Sequence, residues 1–324
     1  MDKLASSQSI RTGDSDINRR IDALDAIRFV AAFWVAMSHG AFPLRDVTSS
    51  LPLRAFASSF DGVSAVMVFF IVSGFCIHLP YVGARALPTM KFLVRRYVRI
   101  GIPLIASLCV MHLLGGGASE MGHAVLWSVY AEIVYYTIYP LLYLLMQRVG
   151  WGVLIKISGI TSCALVFAHL NYLRPWEFGP LTWLWGLPIW LSGCMLAEGF
   201  RKGELVKPWG NIWLWRLSAW LYGAGAILAI YHLPVKIGFP LSMPPFAIFT
   251  FFWLSMELQS QSPAWRFLER FGSASYSLYL VHPLVLGAMD DYLTPLPAGV
   301  LKLVSPWPLI AMATYIFYKG RNQG

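Results

Sequence analysis

Apolar runs long enough to cross a membrane recur along this chain of 324 residues. A hydrocarbon core of about 30 Å requires roughly 20 mostly apolar residues in a helix. Hydrophobic residues make up 57% of the chain and charged residues 13%, and the mean hydropathy is +0.59. A soluble domain usually has about 25% charged residues. The sequence therefore predicts an all-α fold, a polytopic integral membrane helix bundle.

The apolar pattern predicts about ten transmembrane helices joined by short loops. They run near residues 24–43, 60–82, 99–115, 123–146, 151–170, 181–200, 212–231, 239–257, 273–290 and 303–319. An even number of spans places both termini on the same side of the membrane. Eighteen basic residues flank that side, and five flank the other: Arg45, Arg54, Arg174, Lys236 and Lys302. Because basic loops stay in the cytoplasm, this asymmetry predicts an N-in/C-in orientation.

The distribution of charge also limits the classes of partner. The net charge of +9 is spread over the loops on one side, so it indicates orientation and excludes a nucleic-acid partner.

We expect a polar cytoplasmic N-terminal segment over residues 1–20 and a single membrane domain over residues 21–320. The four cysteines lie inside apolar runs without a CxxC motif, which favours packing roles and no metal site. The lipid bilayer is the expected surrounding, as a multi-pass protein of the plasma (bacterial inner) membrane.

The first predicted span carries two residues that such a helix should avoid. Arg28 and His39 are eleven residues apart, which places them on one helix face, roughly 16 Å apart along the axis. Asp25 lies one turn before Arg28 and can pair with it. One interpretation is a snorkelling Asp–Arg pair with an unrelated histidine. The other is a functional face, because a histidine inside a helix bundle suits proton transfer.

A basic cluster, "RRYVR", precedes the third span and contains Arg95, Arg96 and Arg99. Arg96 and Arg99 are spaced i, i+3 and so point in similar directions. Two convergent guanidinium groups suit a phosphate-rich ligand, because each can bind bidentately. The alternative is a positive-inside anchor that contacts anionic lipid. Pro103 is expected to perturb the helix just beyond the cluster.

Two further spans carry polar residues. Glu132 lies near the middle of the fourth, where a carboxylate needs an arginine, a histidine or a cavity. Ser128 is one turn earlier on its face, and Tyr136 follows one turn later. In the ninth span His282 precedes Pro283, and the favoured interpretation is a histidine bonded to a carbonyl that the proline frees.

Five segments, in this order, together resemble acyltransferase family 3 over about residues 20–319. They are "LDAIR…H", "FFIVSGF", "RRYVRIGIP", "LWSVYAEIVYY" and "SYSLYLVHP". The members of this family are polytopic membrane O-acyltransferases that modify surface and exported glycans. The family's Arg-(ten residues)-His motif falls on Arg28 and His39, and its preceding Asp falls on Asp25. Its Arg-x-x-Arg motif falls on Arg96 and Arg99.

The remaining motifs match with substitutions. Glu132 takes the family's acidic position, while Tyr130 and Ala131 replace a small residue and valine, and Ile133 replaces a frequent second acid. The expected catalytic residues are thus His39, Arg28, Glu132 and Asp25, and Arg96, Arg99 and Arg95 are expected to bind the acyl donor. Lesser candidates in the same segments are Trp127, Ser128, Ser73, Tyr276 and His282.

The resemblance implies a reaction. Acetyl-CoA or another acyl-CoA serves as co-substrate from the cytoplasm, without a permanently bound cofactor, and a saccharide or lipid-linked glycan accepts the acyl group. His39 acts as general base or is itself acylated in a relay, two alternatives that the sequence leaves open. Glycan-assembly proteins are candidate partners, and the extracytoplasmic hydrolase-like domain of some members is expected to be absent. On physics alone, a proton-coupled secondary transporter or exporter is the alternative function.

Overall fold

The computed structural model describes residues 23–40, 49–114, 116–260, 266–293 and 306–322. Within these ranges the chain forms helices and turns without any strand, which confirms the all-α prediction. The helices in chain order are α1 (23–40), α2 (Leu51–Ala57), α3 (Gly62–His78), α4 (Thr89–Leu114), α5 (Gly116–Val149), α6 (Trp151–Ala168), α7 (Thr182–Lys202), α8 (Ile212–Tyr231), α9 (Phe239–Glu257), α10 (Arg266–Glu269), α11 (Ser275–Leu293) and α12 (Pro306–Asn322). Short 3₁₀ helices cover Leu79–Tyr81, Pro175–Leu181 and Gly272–Ala274.

Each of the predicted spans overlaps one of these helices. Among the described residues, five segments are long and apolar enough to cross a membrane. They are Leu51–Tyr81, Thr89–Leu114, Val125–Val149, Trp151–Ala168 and Phe239–Glu257. The chain is therefore a membrane protein of helical type, while the count of ten crossings and the N-in/C-in orientation remain predictions.

The outer surfaces of several helices are apolar, as a lipid environment requires. On α4, Val98, Ile102 and Ile105 are all more than half exposed, and on α6 Ile160 and Phe167 are too. Soluble monomers rarely expose continuous apolar patches of this kind. These faces are consistent with contact to lipid chains rather than to water.

Helix α3 forms the centre of the bundle and packs most extensively against α7. It begins at Asp61, whose carboxylate accepts hydrogen bonds from the backbone N–H groups of Val63 (2.9 Å) and Ser64 (3.0 Å). Side-chain capping of this kind satisfies amide groups at a helix start that have no partner within the helix. Helices α4, α5 and α11 pack together on another side of the bundle.

Helix α4 continues through Pro103 to Leu114, contrary to the expected perturbation. Pro140 and Pro283 likewise lie inside α5 and α11. Neighbouring helices in a membrane bundle stabilise a helix around a proline, although the proline removes one backbone hydrogen bond. These three prolines therefore lie inside helices and do not end them.

Candidate active site

A cavity of about 420 Å³ lies among five helices, α1, α3, α4, α5 and α11. Its lining includes six of the predicted site residues: Asp25, Arg28, Arg96, Arg99, Ser73 and Glu132. Ser128 and Tyr276, two lesser candidates, also line it. The fold thus brings together residues from five separate motifs of the sequence. Buried polar groups that converge on one cavity are the usual mark of a ligand site.

Arg28 and Asp25 form the ion pair expected from their spacing. Nη1 of Arg28 lies 2.9 Å from Oδ1 of Asp25, and both side chains are partly buried. Asp25 in turn packs against Gly272, where an added Cβ would overlap the aspartate backbone. Arg28 also lies close enough to Glu132 and Tyr136 for electrostatic interaction. The pairing partly offsets the cost of burying the guanidinium and fixes its direction.

The three arginines of the α4 cluster have different environments. Arg96 is half-buried, with its guanidinium carbon 5.8 Å from the centre of the Phe92 ring and 6.0 Å from that of Tyr136. Arg99 has a more exposed side chain but also lines the cavity. Arg95 is exposed and lies outside the cavity lining, so the fold does not bring it to the site.

Glu132 is held by hydrogen bonds from two hydroxyl groups. Oγ of Ser73 donates to Oε1 at 2.6 Å, and the hydroxyl of Tyr136 donates to the same oxygen. Nε1 of Trp190 donates to Ser73 Oγ at 3.2 Å, which fixes the serine in turn. Within the described chain both bonds to the carboxylate fall on Oε1, so Oε2 is left for a ligand in the cavity.

Three further hydroxyl-bearing residues line the cavity: Ser128, Tyr276 and Tyr279. Oγ of Ser128 lies 2.6 Å from the Tyr279 hydroxyl, which donates to the carbonyl oxygen of Val125 at 3.1 Å. Tyr276 donates from its hydroxyl to the carbonyl oxygen of Ile100 at 3.1 Å. These bonds join α11 to α5 and α4, so they determine the shape of this part of the cavity.

His39 and His282 lie together, outside the cavity lining. The centres of their rings are 5.5 Å apart, and the ring of His282 is 5.8 Å from that of Tyr279. Tyr279 lines the cavity. His282 therefore contacts a residue of the cavity lining, although neither histidine lines the cavity itself. Nδ1 of His282 is 3.2 Å from the Leu278 carbonyl oxygen. Pro283 lacks the N–H that would bond the carbonyl of Tyr279, so this contact is to the carbonyl next to the freed one.

Trp127 packs away from the polar groups of the cavity. Its ring meets Phe70 edge to face, with centres 6.1 Å apart, and lies 6.3 Å from the rings of Trp176 and Trp185. The described contacts of Trp127 therefore join α5 to α3 and α7. They bring no polar group of Trp127 to the candidate site.

Two residues at the site, Tyr136 and Tyr279, were not among the predicted functional residues. Tyr136 is four residues after Glu132, so helical spacing already places it on the same face. Tyr279 has no comparable signal, because its partners Ser128 and Val125 belong to a different helix.

A second buried network lies outside the cavity lining, with His78 between Glu198 and Tyr139, 2.9 Å from each.

Comparison with known protein families identifies the family of the chain. A family model described as an acyltransferase domain matches residues 21–317, nearly the whole chain. No curated protein and no solved structure matches the chain. The matched range contains every residue that lines the cavity, together with His39 and His282. The chain therefore belongs to acyltransferase family 3, and it is a membrane acyltransferase.

Proposed function

We propose that the protein is an O-acyltransferase, with acetyl-CoA as donor, that acylates a hydroxyl of a cell-surface, lipid-linked or secreted saccharide. One observation carries this proposal: the guanidinium groups of Arg28, Arg96 and Arg99 and the carboxylate of Glu132 line one cavity among the helices. A donor with several phosphates and a reactive thioester matches both features. The proposed location is the bacterial inner membrane, with the arginines toward the cytoplasm.

The α4 arginines suit the nucleotide end of acyl-CoA. Guanidinium groups bind phosphate oxygens bidentately, and Arg96 and Arg99 line the cavity one helical turn apart. Arg99 is exposed and Arg96 is half-buried, so positive charge extends from the surface into the cavity. In this proposal the phosphates stay near Arg99, and the thin pantetheine arm carries the acyl group inward.

Arg28 and Glu132 lie where the arm would pass. Arg28, oriented by Asp25, would steer the anionic donor with its positive charge, because His39, where the transfer takes place in this proposal, lies roughly 16 Å farther along α1. Glu132 has one carboxylate oxygen held by Ser73 and Tyr136, so it would present the other at a fixed position.

His39 would perform the transfer. As general base it removes the proton from the acceptor hydroxyl, whose oxygen forms the new ester bond to the acyl carbon while the carbon–sulfur bond to CoA breaks. The proton then leaves on the CoA thiol. In the alternative relay, His39 first takes the acyl group from CoA and then passes it to the hydroxyl. Glycan-assembly proteins would supply the acceptor.

Transport remains the second candidate function only on the general ground that intramembrane charges serve proton-coupled carriers. No contact among the described residues favours it, and family membership favours acyl transfer. Transport would move a glycan or an ion across the membrane without consuming acyl-CoA. CoA release that depends on an acceptor therefore separates the two functions.

The test follows CoA release and acceptor labelling in membranes that contain wild type, His39→Ala or Glu132→Gln. Labelled acetyl-CoA is the donor, and a lipid and glycan extract of the host is the acceptor, with products identified by mass spectrometry. We expect label on a saccharide with wild type and little label with either variant. Equal labelling with His39→Ala would remove His39 from the chemistry, and intact activity of Glu132→Gln would remove the glutamate.

A further inference from the structure

His282 is the buried histidine closest to the proposed base. Its side chain is fully buried in α11, and its ring centre lies 5.5 Å from that of His39. An N–H···N bond of about 2.9 Å joins two imidazoles whose centres are roughly 5 Å apart. The two rings are thus close to the separation that a direct hydrogen bond requires.

The hydrogen-bond partner of Nδ1 decides the tautomer of His282. Nδ1 lies 3.2 Å from the carbonyl oxygen of Leu278, which only accepts hydrogen bonds, so Nδ1 carries the proton. In a neutral ring Nε2 is then an acceptor without a proton. Nε2 is buried and has no hydrogen-bond partner among the described residues. An unsatisfied buried acceptor is costly, so its persistence requires an explanation.

We propose that His282 is a positioning residue for His39, and that its Nε2 accepts a hydrogen bond from one ring N–H of His39 during the reaction. This inference rests on the proposed function of His39 as general base. With one ring nitrogen of His39 committed as a donor, the other is left unprotonated and able to take the acceptor's proton. Fixing the tautomer and orientation of a catalytic histidine through its second nitrogen is a general device.

The surroundings hold His282 in place for this role. The Leu278 carbonyl fixes one edge of the ring, and Tyr279 contacts it with ring centres 5.8 Å apart and planes at 69°. Tyr279 is itself bonded to Ser128 on α5. When His39 has taken the proton of the hydroxyl, both its nitrogens carry protons, and Nε2 of His282 stabilises this cation by accepting from one of them.

The test measures kcat and KM for acetyl-CoA in three variants. His282→Leu places an apolar side chain at the buried position and removes the acceptor, and we expect kcat to fall roughly tenfold to a hundredfold with little change in KM. His282→Gln places an amide oxygen near the position of Nε2, and we expect it to restore most of kcat. His169→Leu is the matched control, because Nδ1 of His169 bonds to the Leu165 carbonyl in the same i, i−4 manner outside the cavity lining.

A double-mutant cycle separates positioning from a general loss of structure. We expect His39→Ala/His282→Leu to be no slower than His39→Ala, since His282 acts only through His39. Losses that add, or a His282→Leu variant as fast as wild type while His39→Ala is inactive, would overturn the inference and leave the proposed function intact. A fully active His39→Ala would instead overturn the proposed function and this inference with it. Thermal unfolding of each purified variant shows that the compared proteins are folded.

Discussion

Arg96 and Arg99 lie one helical turn apart but contribute differently to the proposed site. Arg96 is half-buried beside Phe92 and Tyr136, and Tyr136 binds the carboxylate of Glu132. Arg99 is exposed and has no comparable aromatic contact among the described residues. The position of Arg96 connects the phosphate-binding role proposed for α4 with the polar network that holds Glu132.

We expect both arginines to matter for donor affinity. A hydrogen bond to a charged group contributes about 1.5–3 kcal/mol, so Arg96→Ala or Arg99→Ala should raise KM for acetyl-CoA about tenfold or more. Arg96→Ala should also lower kcat, because it disturbs the surroundings of Tyr136. Initial-rate measurements over a range of acetyl-CoA concentrations test this.

The control for these variants is Lys91→Ala, because Lys91 is an exposed cation on the same helix outside the cavity lining. Its KM should stay within about twofold of wild type, since a distant exposed charge interacts weakly with the donor. A rise in KM with Lys91→Ala as large as with Arg99→Ala would show that α4 attracts the donor by net charge alone.

At the scale of helices, α3 and α7 approach each other through glycine. A Cβ added at Gly74 would overlap the carbonyl oxygen of Trp190, and one at Gly193 would overlap that of Ile71. Small residues allow this close contact between membrane helices. The contact also sets the position of Ser73, which precedes Gly74 and binds both Glu132 and Trp190. The "SGF" segment thus combines a packing residue with a residue of the site.

Gly74→Ala should therefore destabilise the protein and weaken the site. Because the obstructing atom belongs to the backbone of α7, relief requires a shift of a helix, at a cost of about 1–3 kcal/mol or more. We expect the unfolding temperature in detergent to fall by roughly 2–4 °C. Circular dichroism during heating measures it.

Gly159→Ala is the matched control, since Gly159 lies within α6 and an added Cβ there meets no atom within 4 Å. Alanine has a higher helix propensity than glycine, so this variant should be as stable as wild type or slightly more stable. Equal unfolding temperatures for Gly74→Ala and the control would contradict the close contact of α3 with α7.

At the scale of the whole molecule, the proposed reaction depends on orientation. The arginines of the cavity must face the cytoplasm, where acyl-CoA is found, while His39 lies at the opposite end of α1 from Arg28. The asymmetry of basic residues predicts this orientation from the sequence.

Cysteine labelling tests the orientation directly. Lys202 and Lys236 are both exposed, and the predicted topology places them on opposite sides of the membrane. A membrane-impermeant maleimide should label Lys236→Cys in intact cells, and Lys202→Cys only after the cells are permeabilised. Wild type supplies the background from its own four cysteines. The reverse labelling pattern would invert the orientation and contradict cytoplasmic entry of the donor.

The sequence by itself determined the all-helical membrane class, the positions of the helices and the local pairs. Asp25 with Arg28 and Glu132 with Tyr136 follow from helix periodicity, because residues three or four apart always share a face. The family followed from the order of short motifs. These features need only neighbouring residues, or the pattern of apolar residues, to be recognised.

Only the tertiary structure decided which motifs meet. Ser73 donates a hydrogen bond to Glu132, which lies 59 residues later in the sequence. The rings of His39 and His282 lie together although most of the chain separates these two residues in sequence. The same packing separated Arg95 from Arg96 and Arg99 and left His39 outside the cavity lining. Helix periodicity specifies the face of each side chain but not which helix lies opposite. That choice depends on the packing of the whole bundle, for example on the contact between α3 and α7 that glycine permits.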